Sequence, residues 1–117
     1  FAHGHRVPLS PNIVSLLASH QGIIYVSAAS LWEIAIKTRL GKLDPLVPLE
    51  EIPGYVEGLG FGLMDVTPWH AIEELRELPD MRDPFDRLLL AQCQVENLRL
   101  VTIDPKLLPH PLAWRSA

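Results

Sequence analysis

Cysteine is almost missing: Cys93 stands alone in 117 residues. No internal disulfide can form, and cysteine-based zinc sites are excluded. Such usage fits a reducing compartment, so a cytoplasmic protein is expected. No apolar run approaches the ~18 residues of a membrane span, and no signal peptide is visible. No membrane partner is therefore expected. Cations are outnumbered, with 10 Lys and Arg against 14 Asp and Glu, a net charge of −4. That balance argues against a protein held on nucleic acid by broad electrostatics. Nucleic acid as a substrate stays open, because bound cations invert a local field. No His-x-x-x-His spacing occurs; His3, His5, His20, His70 and His110 are scattered, and surface or core roles suit them better than ligation. Internal repeats, low-complexity tracts and linkers are absent too.

What is present suits one globular domain over residues 1–117, with 48% hydrophobic and 21% charged residues. Eleven prolines cut the chain into short elements. The chain starts at Phe1 rather than Met, in a stretch to Pro11 without clear pattern, so its natural beginning is expected to be missing. "LSPNIVSLLASH" (9–20) predicts a short helix with Ser10 as N-cap and Pro11 at the first position. "GIIYVS" (22–27) predicts a buried strand. "SAASLWEIAIKTRLGKL" (27–43) is the clearest helix, stopping at Gly41. A loop and a short helix around Glu50 to Leu59 come next, then a strand in "FGLMDV" (61–66). Helices are predicted over 67–78 and 83–97, each opened by an N-cap and a proline (Thr67-Pro68, Asp83-Pro84). "LRLVTI" (98–103) predicts a last strand, with Asp104 at its carboxyl end and Pro105 stopping it. Strands alternating with helices give an α/β class with a mainly parallel sheet. Such sheets bind ligands beyond the carboxyl ends of their strands. The segments after Val26 and Ile103 thus matter most.

Three acids fall near such ends. On the helix from Ser27, steps of about 100° per residue bring Ser30, Glu33 and Lys37 within roughly 60° of one another. Apolar residues flank this seam on both sides, so it is expected to face inward or into a cleft. A purely structural role is also available to Glu33: a capping box with Ser30 and an i, i+4 ion pair with Lys37. On the helix from Asp83, Asp86 shares its azimuth with Leu89, Leu90 and Cys93, to within about 60°. An acid in the first turn favours the helix dipole, but a cap works equally well on a wet face. A carboxylate on a buried face costs several kcal/mol unless paired or bound to a metal. Asp83 is sufficiently explained as the N-cap. Asp104 is either a site residue or the start of an Asp-Pro turn.

Clustered carboxylates with neither cysteine nor paired histidine select a hard cation, Mg²⁺ or Mn²⁺ rather than Zn²⁺. Carboxylates holding one or two such ions suit phosphodiester hydrolysis. Ser27 and Thr102 are candidate hydroxyls for orienting water or ligand, or simply strand-end residues.

"VSAASLWEIAIKTRLGKL", "RDPFDRLLLAQC" and "LVTIDP" together resemble the PIN-domain nucleases, specifically VapC-type toxins of toxin–antitoxin pairs. The order and spacing agree over almost the whole chain. The resemblance implies a three-layer α/β/α PIN-like domain with a mainly parallel central sheet. It also implies a Mg²⁺- or Mn²⁺-dependent endoribonuclease acting on structured RNA of the translation machinery. A cognate antitoxin normally blocks such a site, and homodimers are common. The family's second, third and fourth acids fall on Glu33, Asp86 and Asp104, which are expected to be metal ligands and catalytic. Asp83 is the neighbouring acid of the same motif, a supporting or capping group. The family's first acid ends an opening strand, central in the sheet, that should precede Phe1. Without it, very weak or no nuclease activity is expected. Lys37, Arg82 and Arg87 are candidate contacts for RNA or partner. Alternatively, Arg82 and Arg87 screen neighbouring acids, and Lys37 only pairs with Glu33.

Two other classes compete. A catalytically incomplete PIN-like module would engage an antitoxin or a second copy of itself. A phosphatase or phosphoacceptor domain fits less well, since Asp104 is followed by Pro105 and Lys106 without the supporting pattern.

Overall fold

A computed structural model describes residues 24–78, 83–102 and 104–114. The helix expected over 9–20, as well as His3, His5, His20, Arg82 and Ile103, lies outside the described residues. In chain order the elements are β1 (Tyr25–Ser27), α1 (Ala28–Arg39), a 3₁₀ turn (Leu49–Glu51), α2 (Ile52–Gly58), β2 (Gly62–Met64), α3 (Pro68–Ile72) and α4 (Pro84–Glu96). None of these helices is long and apolar enough to cross a membrane.

β1 and β2 pair in parallel, with Tyr25 opposite Gly62, Val26 opposite Leu63 and Ser27 opposite Met64. Parallel neighbours need a crossover, and here α1 and α2 supply it. The result is an α/β fold of helices around a small parallel sheet. The strand expected over 98–103 is reduced, among the described residues, to one parallel bridge between Leu100 and Ala113. Leu100 takes both of its bridge hydrogen bonds from the chain's end: its N–H donates to Leu112 O and its carbonyl accepts from Trp114 N, each at 2.8 Å.

α1 begins where Ser27, still extended, turns its hydroxyl back to accept from Ala29 N at 3.0 Å. The cap is therefore Ser27, and Ser30 lies inside the first turn. This corrects the capping box expected between Ser30 and Glu33. The helix ends as its sequence requires. Gly41 adopts φ +75, and the bonds Gly41 N to Thr38 O and Lys42 N to Lys37 O close a Schellman motif. Lys37 and Arg39 sit in the last turn, where the dipole favours cations.

α4 starts at Asp83, whose Oδ1 accepts from Phe85 N at 2.8 Å, and ends at Asn97, in the left-handed region at φ 56. α3 is shorter than the helix expected over 67–78. Its cap, Glu73, is already extended. Beyond it the side chain of Gln94 takes over the backbone's partners: Oε1 accepts from Arg76 N, and Nε2 donates to the carbonyl of Glu74. That exchange frees Leu75 to pack on the core instead of extending a helix. α4 is the spine of that core. Leu89, Leu90 and Cys93 meet Ala29, Leu100 and Leu107, with Leu75, Leu88, Leu98 and Leu112 against them.

Candidate functional site

Ala29, Ser30 and Glu33 are the buried residues of α1, so its polar seam faces inward. Glu33 is only 3% exposed. Its Oε2 lies 3.2 Å from Lys37 Nζ, one turn on. Asp86 is fully buried in the first turn of α4, on the face that carries Leu89, Leu90 and Cys93. Two acid side chains thus leave water from two helices that pack on each other.

The helices meet beside these acids. Trp32 and Phe85, each the neighbour of one acid, form an edge-on ring pair with centroids 5.5 Å apart and planes at 66°. A second tie lies further along. The Ser27 hydroxyl donates to Gln92 Oε1, joining the cap of α1 to the middle of α4. Ser27 precedes Trp32, whereas Gln92 follows Phe85. The two helices therefore run antiparallel between these contacts.

Asp104 belongs to a third segment, the turn that follows Thr102. Its Oδ1 accepts from Lys106 N at 2.9 Å, its own N–H donates to Thr102 Oγ1 at 3.0 Å, and its carbonyl accepts from Leu107 N and Leu108 N. These bonds build a tight turn, with buried Thr102 as its brace. Among the described residues, no three or more His, Cys, Asp or Glu side chains form a group that could hold a metal ion. The donor chemistry of Glu33 and Asp86 nonetheless fits a hard divalent cation, since both are buried carboxylates and they stand on two helices that pack on each other. Asp83 caps α4, and Arg87 lines a groove shared with Glu73 and Glu74 between α3 and α4.

Little in the sequence alone points to His70 and Gln92. His70 is buried at the third position of α3, where Thr67 N donates to its Nδ1 at 3.0 Å and Thr67 Oγ1 accepts from its backbone N–H. With Nδ1 an acceptor, the other ring nitrogen carries the proton and donates to Glu96 Oε2 at 2.7 Å. Gln92 Nε2 donates to the Asp65 carbonyl at 3.2 Å and lies 3.4 Å from His70 Nδ1. The available signal was an amide placed inside the apolar run "LLLAQC". Burial also acts on Cys93, pushing its thiol up to about 11, with the Arg99 charge pulling the other way.

The PIN domain family matches residues 8–109, most of the chain. The protein belongs to the PIN domain family. No curated protein and no solved structure gave a match. PIN domains are generally metal-dependent nucleases: they bind divalent cations and act on nucleic acid.

Proposed function

We propose that this PIN domain is an endoribonuclease toxin of the VapC type, dependent on Mg²⁺ or Mn²⁺. The observation that carries the proposal is the burial of Glu33 and Asp86 at the contact of α1 with α4. In this reading Glu33 and Asp86 hold the cation, and Asp104 completes the set from the turn after Thr102. A bound divalent cation supplies a Lewis acid and lowers the pKa of water for phosphodiester hydrolysis. The protein's own part is positional. Lys37 offsets the charge of Glu33 in the apo protein, and the contacts between α1 and α4 hold the carboxylates in place. Asp83 supports the site only by starting α4.

The motifs "RDPFDRLLLAQC" and "LVTIDP" support the toxin assignment, and with it a cognate antitoxin and a homodimer as partners. Exposed Leu40, Leu46, Tyr55 and Leu59 after and along the first crossover support a protein partner. A second reading is favoured by one observation. Asp104 is not gathered with the other two acids into a metal-holding group among the described residues. A non-catalytic PIN module that binds an antitoxin or itself would look the same. The test is cleavage of structured RNA by the full-length protein with Mn²⁺, against Glu33→Gln and Asp86→Asn. The toxin reading expects cleavage that both substitutions abolish. No cleavage and no Mn²⁺ binding by the unaltered protein would leave the binding module.

A further inference from the structure

Gln92 sits where four elements meet. Its amide oxygen takes the Ser27 hydroxyl from the end of β1, and its amide nitrogen reaches the Asp65 carbonyl after β2 and the His70 ring on α3. The orientation is forced: a backbone carbonyl only accepts, so the amide nitrogen faces Asp65 and the oxygen faces Ser27. Ser27 is equally committed, accepting from Ala29 N while it donates to Gln92. Both side chains are buried. Neither can turn away without leaving a buried polar group unsatisfied.

We infer that Gln92 is a positioning residue that holds the axial register of α1 against α4, and through it the placement of Glu33 relative to Asp86. The inference rests on the metal-site reading above. Beside the apolar packing of Ala29 on Leu89, Leu90 and Cys93, two specific side-chain contacts join these antiparallel helices among the described residues: Ser27–Gln92 at one end and Trp32–Phe85 at the other. A ring contact tolerates sliding, since dispersion has no preferred donor. The hydrogen bond does not. A slide by one residue moves a carboxylate by about 1.5 Å. Metal coordination tolerates only about 0.2 Å. The directional tie therefore restricts sliding more than the ring contact does, and so helps two carboxylates on different helices share a cation.

The test separates positioning from mere stability. Mn²⁺ affinity is measured by calorimetry on the full-length protein, and the Trp32 indole N–H signal, assigned by Trp32→Phe, is followed by NMR. Gln92→Met and Ser27→Ala are each expected to weaken Mn²⁺ binding about tenfold or more, the usual effect of removing an outer-shell support. The double variant is expected to lose no more than either single one, and Ser27→Thr, which keeps the hydroxyl, is expected to bind normally. In both weakened variants the Trp32 signal moves. Gln94→Met is the control: it removes bonds to Arg76, Glu73 and Glu74 from the same helix without touching α1, and it is expected to bind Mn²⁺ normally. If Gln92→Met misfolds, the Ser27→Ala and Ser27→Thr pair tests the same bond from the other side. Equal Mn²⁺ affinity in Gln92→Met and the unaltered protein, or an equal loss in Gln94→Met, would overturn the inference. Mn²⁺ binding that survives both Glu33→Gln and Asp86→Asn would instead remove the metal reading on which it stands.

Discussion

Lys37 reaches back one turn of α1 and places Nζ 3.2 Å from Oε2 of Glu33. The pair is unequal, because the lysine is partly exposed while the carboxylate is buried. Removing the cation takes a charged partner from the buried acid. Lys37→Met is expected to destabilise the apo protein by about 1–3 kcal/mol, the cost of a buried group that loses a charged partner. Saturating Mg²⁺ is expected to recover part of that loss, since a cation at Glu33 replaces the ammonium. Thermal melts with and without Mg²⁺ check this. An identical loss in both conditions would mean that no cation reaches Glu33.

Asp83 and Asp86 open the same helix and are expected to answer differently. Asp83→Ala removes the cap on Phe85 N and should cost about 1 kcal/mol of stability. Its Mn²⁺ affinity should change little. Asp86→Asn keeps the volume and removes the charge. A loss of ribonuclease rate of about a hundredfold or more is expected, the scale of a lost charge-stabilising group. Melting curves and initial cleavage rates on both variants make the comparison.

Asp104 has a turn to hold as well as a proposed cation. Asparagine can still accept from Lys106 N, so Asp104→Asn preserves the turn and deletes only the charge. Stability near that of the unaltered protein with weakened Mn²⁺ binding is the expected result. Unchanged binding would assign Asp104 to the turn alone.

Cys93 gives a pH signature independent of the metal. Burial raises its thiol from 9.0 to about 11 in the folded protein, so the folded state favours the protonated thiol. The unfolded chain loses that proton first as pH rises. This contribution to stability is fully present below pH 9 and is lost progressively as pH approaches 11. Denaturant midpoints across that range should fall, and Cys93→Ala should flatten the dependence. Alkylation of Cys93 near pH 8 is expected only after unfolding.

Local chemistry explains which elements were legible from the sequence. α1 and α4 carry strong start and stop signals, Ser27 with Gly41 and Asp83 with Asn97, and both end close to where those signals lie. α3 and the segment from Leu98 do not follow local signals. The first gives up its second half because Gln94, distant in sequence, supplies the hydrogen bonds. Among the described residues, the second pairs only at Leu100, with Ala113. Such contacts leave no periodicity to read. The inward direction of Glu33 and Asp86 follows from helical azimuth, which needs only the sequence. The supporting network of Ser27, Gln92, His70 and Glu96 joins residues from β1, α3 and α4, and it required the fold.

The central claim is that Glu33 and Asp86 share a divalent cation at the junction of α1 and α4. The most direct measurement is Mn²⁺ binding by calorimetry to the full-length protein, to Glu33→Gln, to Asp86→Asn and to the double variant. The account predicts that each single substitution weakens binding by tenfold or more. It also predicts that the double variant is little worse than either, because one site is lost in every case. Binding unchanged by both single substitutions would contradict it.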